Sequence, residues 1–394
     1  MYTLLLQHSV LNLIPRNRFQ IVFQNEPPSH ENPLNVSRYH PSVSRKITTT
    51  IISDPLEWNQ LVTSFSHYSA LQGWGFGEVR RVSGWTPHRL KLKRDGVAFA
   101  AAQVLRRKQT GLSFLYCPRG PAMNSFSDLE DVGAALKAWA GAGDVSIKIE
   151  PPIPLLSDGT GSNIPESYGV WKNSSTIQPE HTILLDLTKP EDEFFKNMHE
   201  MARRNTRTSL KLGVIAQPED DFESFWALFS ETNRRSSLLQ RQKNYYEVVW
   251  KECNKFGGEA VIITARHEGV PLASGLIIGL GHDLNYLYGG STRLERTEGQ
   301  KDPKASNGFY WGMIRHGMAK GYKYLDLFGI PKTISEDKHS FGVYEFKERL
   351  GGQKVFFPAY EQSLSPISSL MNTAFRIRKN YMNYKARGTT KDVL

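Results

Sequence analysis

One block of sequence occurs twice. Asp95-Gly96-Val97 opens a run of small and apolar residues that continues to Leu105, and Glu268-Gly269-Val270 opens a similar run to Ile278. An acidic residue followed by glycine suits a tight hairpin turn, because glycine accepts a positive φ without steric cost. A second strand follows in each copy, Leu112-Ser113-Phe114-Leu115-Tyr116 and then Leu284-Asn285-Tyr286-Leu287-Tyr288. Apolar residues at helical spacing come next, Leu129, Val132, Leu136 and Trp139 in one copy and Tyr310, Met313, Ile314 and Gly317 in the other. An alternating strand closes each unit, Val145-Ile147-Ile149 and Leu325-Leu327. A hairpin, a helix and a further strand on one sheet form an α+β unit, so the chain reads as two such units in tandem.

The 394 residues are enough for two units, and 39% hydrophobic content with 20 Phe, 16 Tyr and 8 Trp is enough to fill their cores. Cys117 and Cys253 fall in different copies and show no metal or CxxC spacing, which points to a reduced cytosolic protein. No apolar run approaches the ~18 residues that span a bilayer. The stretch Met1 to Ile14 is apolar but lacks a basic start and a small-residue cleavage site, which argues against a signal peptide. Pro27, Pro28, Pro33 and Pro41 among Ser, Asn and His predict disorder over residues 25–45. A net charge of +10 implies an anionic partner: nucleic acid, a pyrophosphate or an acidic membrane surface. Charge does not choose among them, and many proteins carry as much for solubility.

Four segments offer chemistry. Between the copies, Thr188, Pro190 and Glu191 mark a helix start, and Phe194, Phe195, Met198 and Met201 supply its apolar stripe. Arg203, Arg204, Arg207 and Lys211 crowd its far end, with 204, 207 and 211 on one face. They either cap the negative end of the helix dipole or clamp a phosphate. Gln72 to Arg81 interleaves Trp74 and Phe76 with glycines and ends on Arg80 and Arg81, which fits a close approach to a phosphate or a turn with its tryptophan in the core. The run Tyr116-Cys117-Pro118-Arg119-Gly120-Pro121 is a rigid loop that aims Arg119. In Tyr344 to Gly352, the pair Phe346-Lys347 belongs to an amphipathic turn or meets a nucleotide end, the ring stacking and the ammonium meeting charge.

In their order along the chain these segments, with Leu287-Tyr288-Gly289-Gly290-Ser291 and Gly321 to Ile330, resemble the FemABX family of aminoacyl-tRNA-dependent transferases that build peptidoglycan interpeptide bridges. The resemblance covers about residues 50 to 385. It implies two tandem GNAT-like (acyl-CoA N-acyltransferase) domains, with the precursor, lipid II or a UDP-linked muropeptide, bound between them. The donor it implies is aminoacyl-tRNA as co-substrate, with no cofactor and no metal. No long heptad-bearing insertion follows Lys211, so the compact FemX-like type, without a coiled-coil arm, is expected. The family's phosphate-contacting lysine matches Arg80 here, the arginine of its central helix matches Arg204 or Arg207, and the catalytic lysine of its Phe-Lys pair matches Lys347, beside Phe346. Tyr116, Arg119 and Tyr288 complete the expected substrate-binding set. Where many members carry an acidic residue after the Gly-Pro loop this chain has Asn124 and Ser125, so a carboxylate base there is not expected.

The expected organisation is an irregular extension over 1–45, a first domain over 46–175, a second over 176–354, and a C-terminal helix within 355–394 that packs back on the first. In that helix Ile367, Leu370, Met371, Ala374, Ile377 and Tyr381 recur at helical spacing, and Arg376, Arg378, Lys379, Lys385 and Arg387 could rest on an anionic inner leaflet. A CoA-dependent N-acyltransferase is the nearest rival. It needs a second small residue in its pyrophosphate loop, where Arg296 to Lys301 ends on lysine and Arg266 to Pro271 runs into a strand. A non-catalytic RNA-binding protein would explain the charge and leave the duplicated unit unexplained.

Overall fold

A computed structural model describes residues 45–109, 111–156, 167–236, 240–292, 301–331 and 341–368, with Ile377 and Tyr381. The first copy contains β1 (Ile47–Ile51), α1 (Pro55–Thr63), α2 (Trp74–Arg81), β2 (Thr86–Arg94), β3 (Val97–Gln109), β4 (Leu112–Cys117), β5 (Ala122–Met123), α3 (Leu129–Trp139) and β6 (Asp144–Ile149). Short strands β7 (Leu155–Leu156), β8 (Ser167–Tyr168), β9 (Trp171–Ser174) and β10 (His181–Asp186) lead to α4 (Glu191–Asn197) and α5 (Glu200–Lys211). The second copy runs through β11 (Ile215–Pro218), α6 (Phe222–Arg235), α7 (Lys243–Cys253), β12 (Gly258–His267), β13 (Val270–Leu280), β14 (Asp283–Ser291), α8 (Ala305–Ala319) and β15 (Tyr324–Asp326). It ends with α9 (Phe341–Glu348), β16 (Gln353–Phe356) and β17 (Ala359–Ser363).

The repeat is a repeat of structure. In both copies an outer strand, a hairpin, a further antiparallel strand and a parallel strand follow in one spatial order, β1-β2-β3-β4-β6 and β11-β12-β13-β14-β15. The hairpin turns match to the backbone, Asp95 and Gly96 at φ 51° and 86° against Glu268 and Gly269 at 51° and 78°. Each hairpin also shifts register just before its turn, at Leu92/Lys93 and at Ala265/Arg266. The central strands read as unbroken apolar runs because both of their faces are covered. Ala100 and Ala102 point into a core under α3, while Ala101 points into a core shared with the second copy. Likewise Ile277 faces the core under α8, and Leu276 and Ile278 face the shared one.

That shared core joins Trp58, Leu71 and Phe76 to Phe225, Tyr246 and Ile278, and residues Ser44–Leu394 fall in one compact unit. The chain also exchanges strands between the sheets. It leaves the first sheet after β9 and enters the second at β10, then leaves the second after β16 and enters the first at β17. The expected boundary at 175/176 lies in the first of these crossings, yet β7 also pairs in the second sheet, beside β16.

Three expectations need correction. The single helix expected after Thr188 is two helices, because the chain turns extended at Met198, with ψ 152°. The turn after α9 packs into this break, where His199 N donates to Arg349 O, so Arg203 caps the carbonyls of Lys196 and Met198. Thr188 bonds Asp186 and does not cap the helix, and Met201 is exposed. The start of the expected C-terminal helix is strand, since Val355, Phe356 and Tyr360 suit half-buried β structure. Of that helix Ile377 and Tyr381 are helical and exposed and Ile367 is exposed in a turn, so the expected apolar stripe is not buried at these positions; residues 369–376, 378–380 and 382–394 lie outside the described residues, as do residues 1–44 and most of the Arg296–Lys301 loop.

The glycines of the Gln72–Arg81 segment serve packing. A Cβ at Gly75 would sit 2.7 Å from Cys253 Cα on α7, and one at Gly77 would press on Gln103 and Arg89. Gly75→Leu is expected to cost roughly 1–3 kcal/mol by overpacking, read as a lower urea midpoint at constant m-value. An unchanged midpoint would mean that α2 and α7 do not meet at this glycine.

Candidate functional site

The second sheet contains an opening that the first lacks. β14 pairs with β15 at only three positions, Asp283 with Tyr324, Leu284 with Leu325 and Asn285 with Asp326, and then the two part. In the first copy β4 stays paired with β6 to Cys117 and Ile149. The parted seam is a cavity of about 1280 Å³, walled by Tyr286 to Ser291 of β14, Leu327 to Gly329 after β15, the start of α8, part of α6 and the Phe346-Lys347 turn.

Lys347 is buried and holds one wall in place. Its ammonium donates to the carbonyl oxygens of Leu327 at 2.8 Å, of Phe328, and of Gly329 at 3.0 Å. Those carbonyls converge because Phe328 and Gly329 both take left-handed backbone, φ 48° and 50°. Asp326 fixes the loop from the other side, its Oδ1 accepting from Phe328 N at 2.8 Å and from Thr182 Oγ1 at 2.5 Å. All three ammonium protons are thus committed, and only the bond to Gly329 is partly open to solvent. Phe346 lies against Tyr310, ring centroids 5.0 Å apart. Tyr310 in turn meets Tyr286, and burial raises both phenol pKa values, Tyr286 to about 12.

Tyr288 lines the same cavity, packed edge-on to Tyr246 at 4.9 Å, and burial raises its pKa well above the usual value. Arg80 is not among the residues lining the cavity; it lies 3.5 Å from the Tyr245 hydroxyl and over the ring of Trp85, and its charge opposes the Tyr288 shift. Arg204 and Arg207 are elsewhere. They are exposed on α5 in a separate groove of about 450 Å³ with Arg203, Thr208 and Lys211, and Arg207 lies over the Phe195 ring.

Tyr116 and Arg119 are each 2% exposed and sit where the two strand crossings meet. Tyr116 donates to Glu150 at 2.7 Å, and Glu150 also accepts from the amides of Ile177 and Gln178 in the first crossing. Arg119 donates to Pro179 O at 2.7 Å and stacks 3.8 Å over Phe357 in the second. The loop that was expected to aim an arginine at substrate buries it as a tie between the sheets. Asn124 Oδ1 accepts from Ser66 N, so that position is structural too. Asp326, Tyr286 and Tyr310 were not singled out from sequence, since only the fold shows that β14 and β15 part beside them. Among the described residues no group of three or more His, Cys, Asp or Glu could hold a metal ion, and no helix is long and apolar enough to cross a membrane.

Comparison with known proteins fits this geometry. A sequence model of the FemAB family matches residues 166–266 and 254–356. The lipid II:glycine glycyltransferase of Staphylococcus aureus strain USA300 is 23% identical over 305 residues, which is 73% of this chain and 70% of that protein. The crystal structure of FemX superposes with a TM-score of 0.71 at 19% identity, over 82% of this chain and 99% of that one, a likeness of fold.

Burial lowers the Lys347 pKa from 10.5 to about 8, with Asp326 opposing the shift. Between these values the unfolded chain keeps a proton that the folded chain has released, so the Lys347 contribution to stability rises with pH through this window. The urea-midpoint difference between wild type and Lys347→Met is expected to move in favour of wild type from about pH 8 to about pH 9.5. A difference that does not vary with pH would mean that Lys347 titrates normally.

Proposed function

The chain belongs to the FemAB family, and on that premise we propose that it is an aminoacyltransferase adding an amino acid to the stem peptide of a peptidoglycan precursor, with aminoacyl-tRNA as donor. The observation that carries this reading is the parted seam of the second sheet, which gathers Tyr288, Phe346 and Lys347 around one cavity. The name of the Staphylococcus aureus relative, which acts on lipid II, supports a lipid-linked acceptor and hence work at the inner face of the plasma membrane.

The reaction asks little of the protein beyond placement and charge. The acceptor amine attacks the ester carbonyl carbon, a C–N bond forms, and the carbonyl π pair moves onto oxygen. Collapse breaks the bond to the ribose oxygen, which takes up the proton that the amine loses. Holding amine and ester in contact supplies much of the rate. Lys347 supplies positive charge where the oxyanion develops, its bond to Gly329 O being the one a substrate oxygen can replace. Phe346 and Tyr310, whose rings are tilted 55° to one another, offer an aromatic surface for the terminal base of the donor. Arg80, which bonds the Tyr245 hydroxyl and has no ion pair with a carboxylate among the described residues, is the arginine of the three proposed to meet a precursor phosphate.

The test is incubation of the purified protein with pools of charged tRNA and a lipid-linked or UDP-linked muropeptide. The expected result is a mass gain of one or more amino-acid residues on the acceptor. Acetyl transfer from acetyl-CoA at a competitive rate would favour the CoA-dependent alternative.

Lys347→Ala is expected to lower turnover by at least ~100-fold, the usual loss for one oxyanion donor. Wild-type activity should also fall on the alkaline side near pH 8, a limb absent from Lys347→Arg, whose charge persists. A folded Lys347→Ala protein with near-wild-type turnover would remove Lys347 from the mechanism. Arg80→Ala is expected to raise the acceptor KM by the equivalent of roughly 1.5–3 kcal/mol. Arg204→Ala and Arg207→Ala test whether the precursor also reaches the α5 groove, and unchanged acceptor KM in all three variants would leave these arginines structural.

A further inference from the structure

The two seams end differently, and one side chain makes the difference. In the first copy the chain past β6 still crosses its seam, where Glu150 N donates to Gly120 O in the loop after β4 at 3.0 Å. In the second copy the chain past β15 stays with β10, and Leu327 N donates to Ile183 O at 3.0 Å. Amides alternate in direction along a strand, so the next one, Phe328 N, falls on the side of β14. Asp326 takes it instead, through Oδ1 at 2.8 Å, and the same oxygen accepts from Thr182 Oγ1 on β10. A carboxylate that bonds the amide two residues on competes with the sheet ladder for it. Asp326 is 4% exposed, and Asn285, its partner across the seam, is turned to Asp283 at 2.6 Å. The turn so made carries the three carbonyls that receive the Lys347 ammonium, and the Asp326 charge acts on Lys347 against the effect of burial. Around this pair, Asp283 on β14 feels both Asp326 and Arg119 of the first copy, while Glu348 on α9 and Lys354 on β16 meet Tyr344.

We propose that Asp326 is a positioning residue of the transfer reaction, which acts through the turn it makes and keeps the Lys347 ammonium charged at the cavity wall. The proposal rests on the reading of Lys347 as the group that meets the oxyanion. Acting at one remove matters. A carboxylate bonded directly to Lys347 would occupy the ammonium that the substrate oxygen needs and cancel its charge there. Asp326 leaves the ammonium on neutral carbonyls, and the bond to Gly329 O stays exchangeable.

The test is full-length Asp326→Asn, which keeps an oxygen for both hydrogen bonds and loses the charge. Its alkaline limb of turnover is expected to lie about one pH unit below that of wild type, the low end for removal of a nearby opposite charge. Turnover at pH 8 then falls roughly fivefold, while turnover at pH 6 and both KM values stay as in wild type. In a Lys347→Arg background the same substitution should move no limb, because a guanidinium keeps its charge. Should Asp326→Asn not fold, Asp326→Ser takes its place, since a hydroxyl also accepts from the amide two residues on. A second measurement needs no substrate. The pH window in which the urea-midpoint difference between Lys347 and Lys347→Met grows is expected to start about one pH unit lower when residue 326 is Asn. If neither window nor limb moves, Asp326 does not act on Lys347, and the proposal falls while the reading of Lys347 stands. A window that moves without the limb overturns the reading of Lys347, and with it the part of Asp326 in transfer.

Discussion

A buried ammonium facing three backbone carbonyls governs the second half of this molecule. Carbonyl dipoles of Leu327, Phe328 and Gly329 would repel one another if they converged on empty space, and the left-handed backbone of Phe328 adds a further cost. Lys347 supplies the charge that makes the convergence favourable, and Asp326 behind the loop offsets part of the cost of burying it. With the loop fixed in this way, the chain after β15 cannot continue beside β14, and the seam stays open. The cavity and its aromatic wall both follow from that parting.

The two copies differ in this opening. Both keep the hairpin turn, the register shift and the parallel closing strand. Only the second parts its seam, whereas the first spends the corresponding region on Tyr116, Glu150 and Arg119, which bind the two crossings of the chain. The first copy spends this region on ties within the scaffold and the second opens a cavity there. The exchange of β10 and β17 joins them into one body, so a cavity residue such as Tyr288 can lean on α6 and α7 while Arg80 of α2 bonds Tyr245 of α7.

Much of this was legible in the residues, and what was not has physical causes. The duplicated unit could be read because turn chemistry and two-sided burial leave local marks, an acidic-Gly pair and an unbroken apolar run. The strand exchange could not, since nothing local in two- to six-residue strands says which sheet they join. The break at Met198 was hidden because a continuous apolar stripe fits one bent helix pair as well as one straight helix. Phe346 and Lys347 were recognised as a pair, but the partners of the lysine are backbone carbonyls, which no side-chain pattern announces. Glycines at 75 and 77 signalled close approach correctly, and the approaching group proved to be protein.

In the proposed reaction the acyl end of a tRNA enters the parted seam of the second copy. Photo-crosslinking with tRNA bearing a benzophenone-containing aminoacyl group at its 3′ end addresses that claim directly, with crosslinked peptides identified by mass spectrometry. Crosslinks on Tyr288 or Phe346, or on the wall at 327–329, competed by unlabelled aminoacyl-tRNA, are the expected result. Competed crosslinks confined to the first sheet, or to the α5 groove, would contradict it.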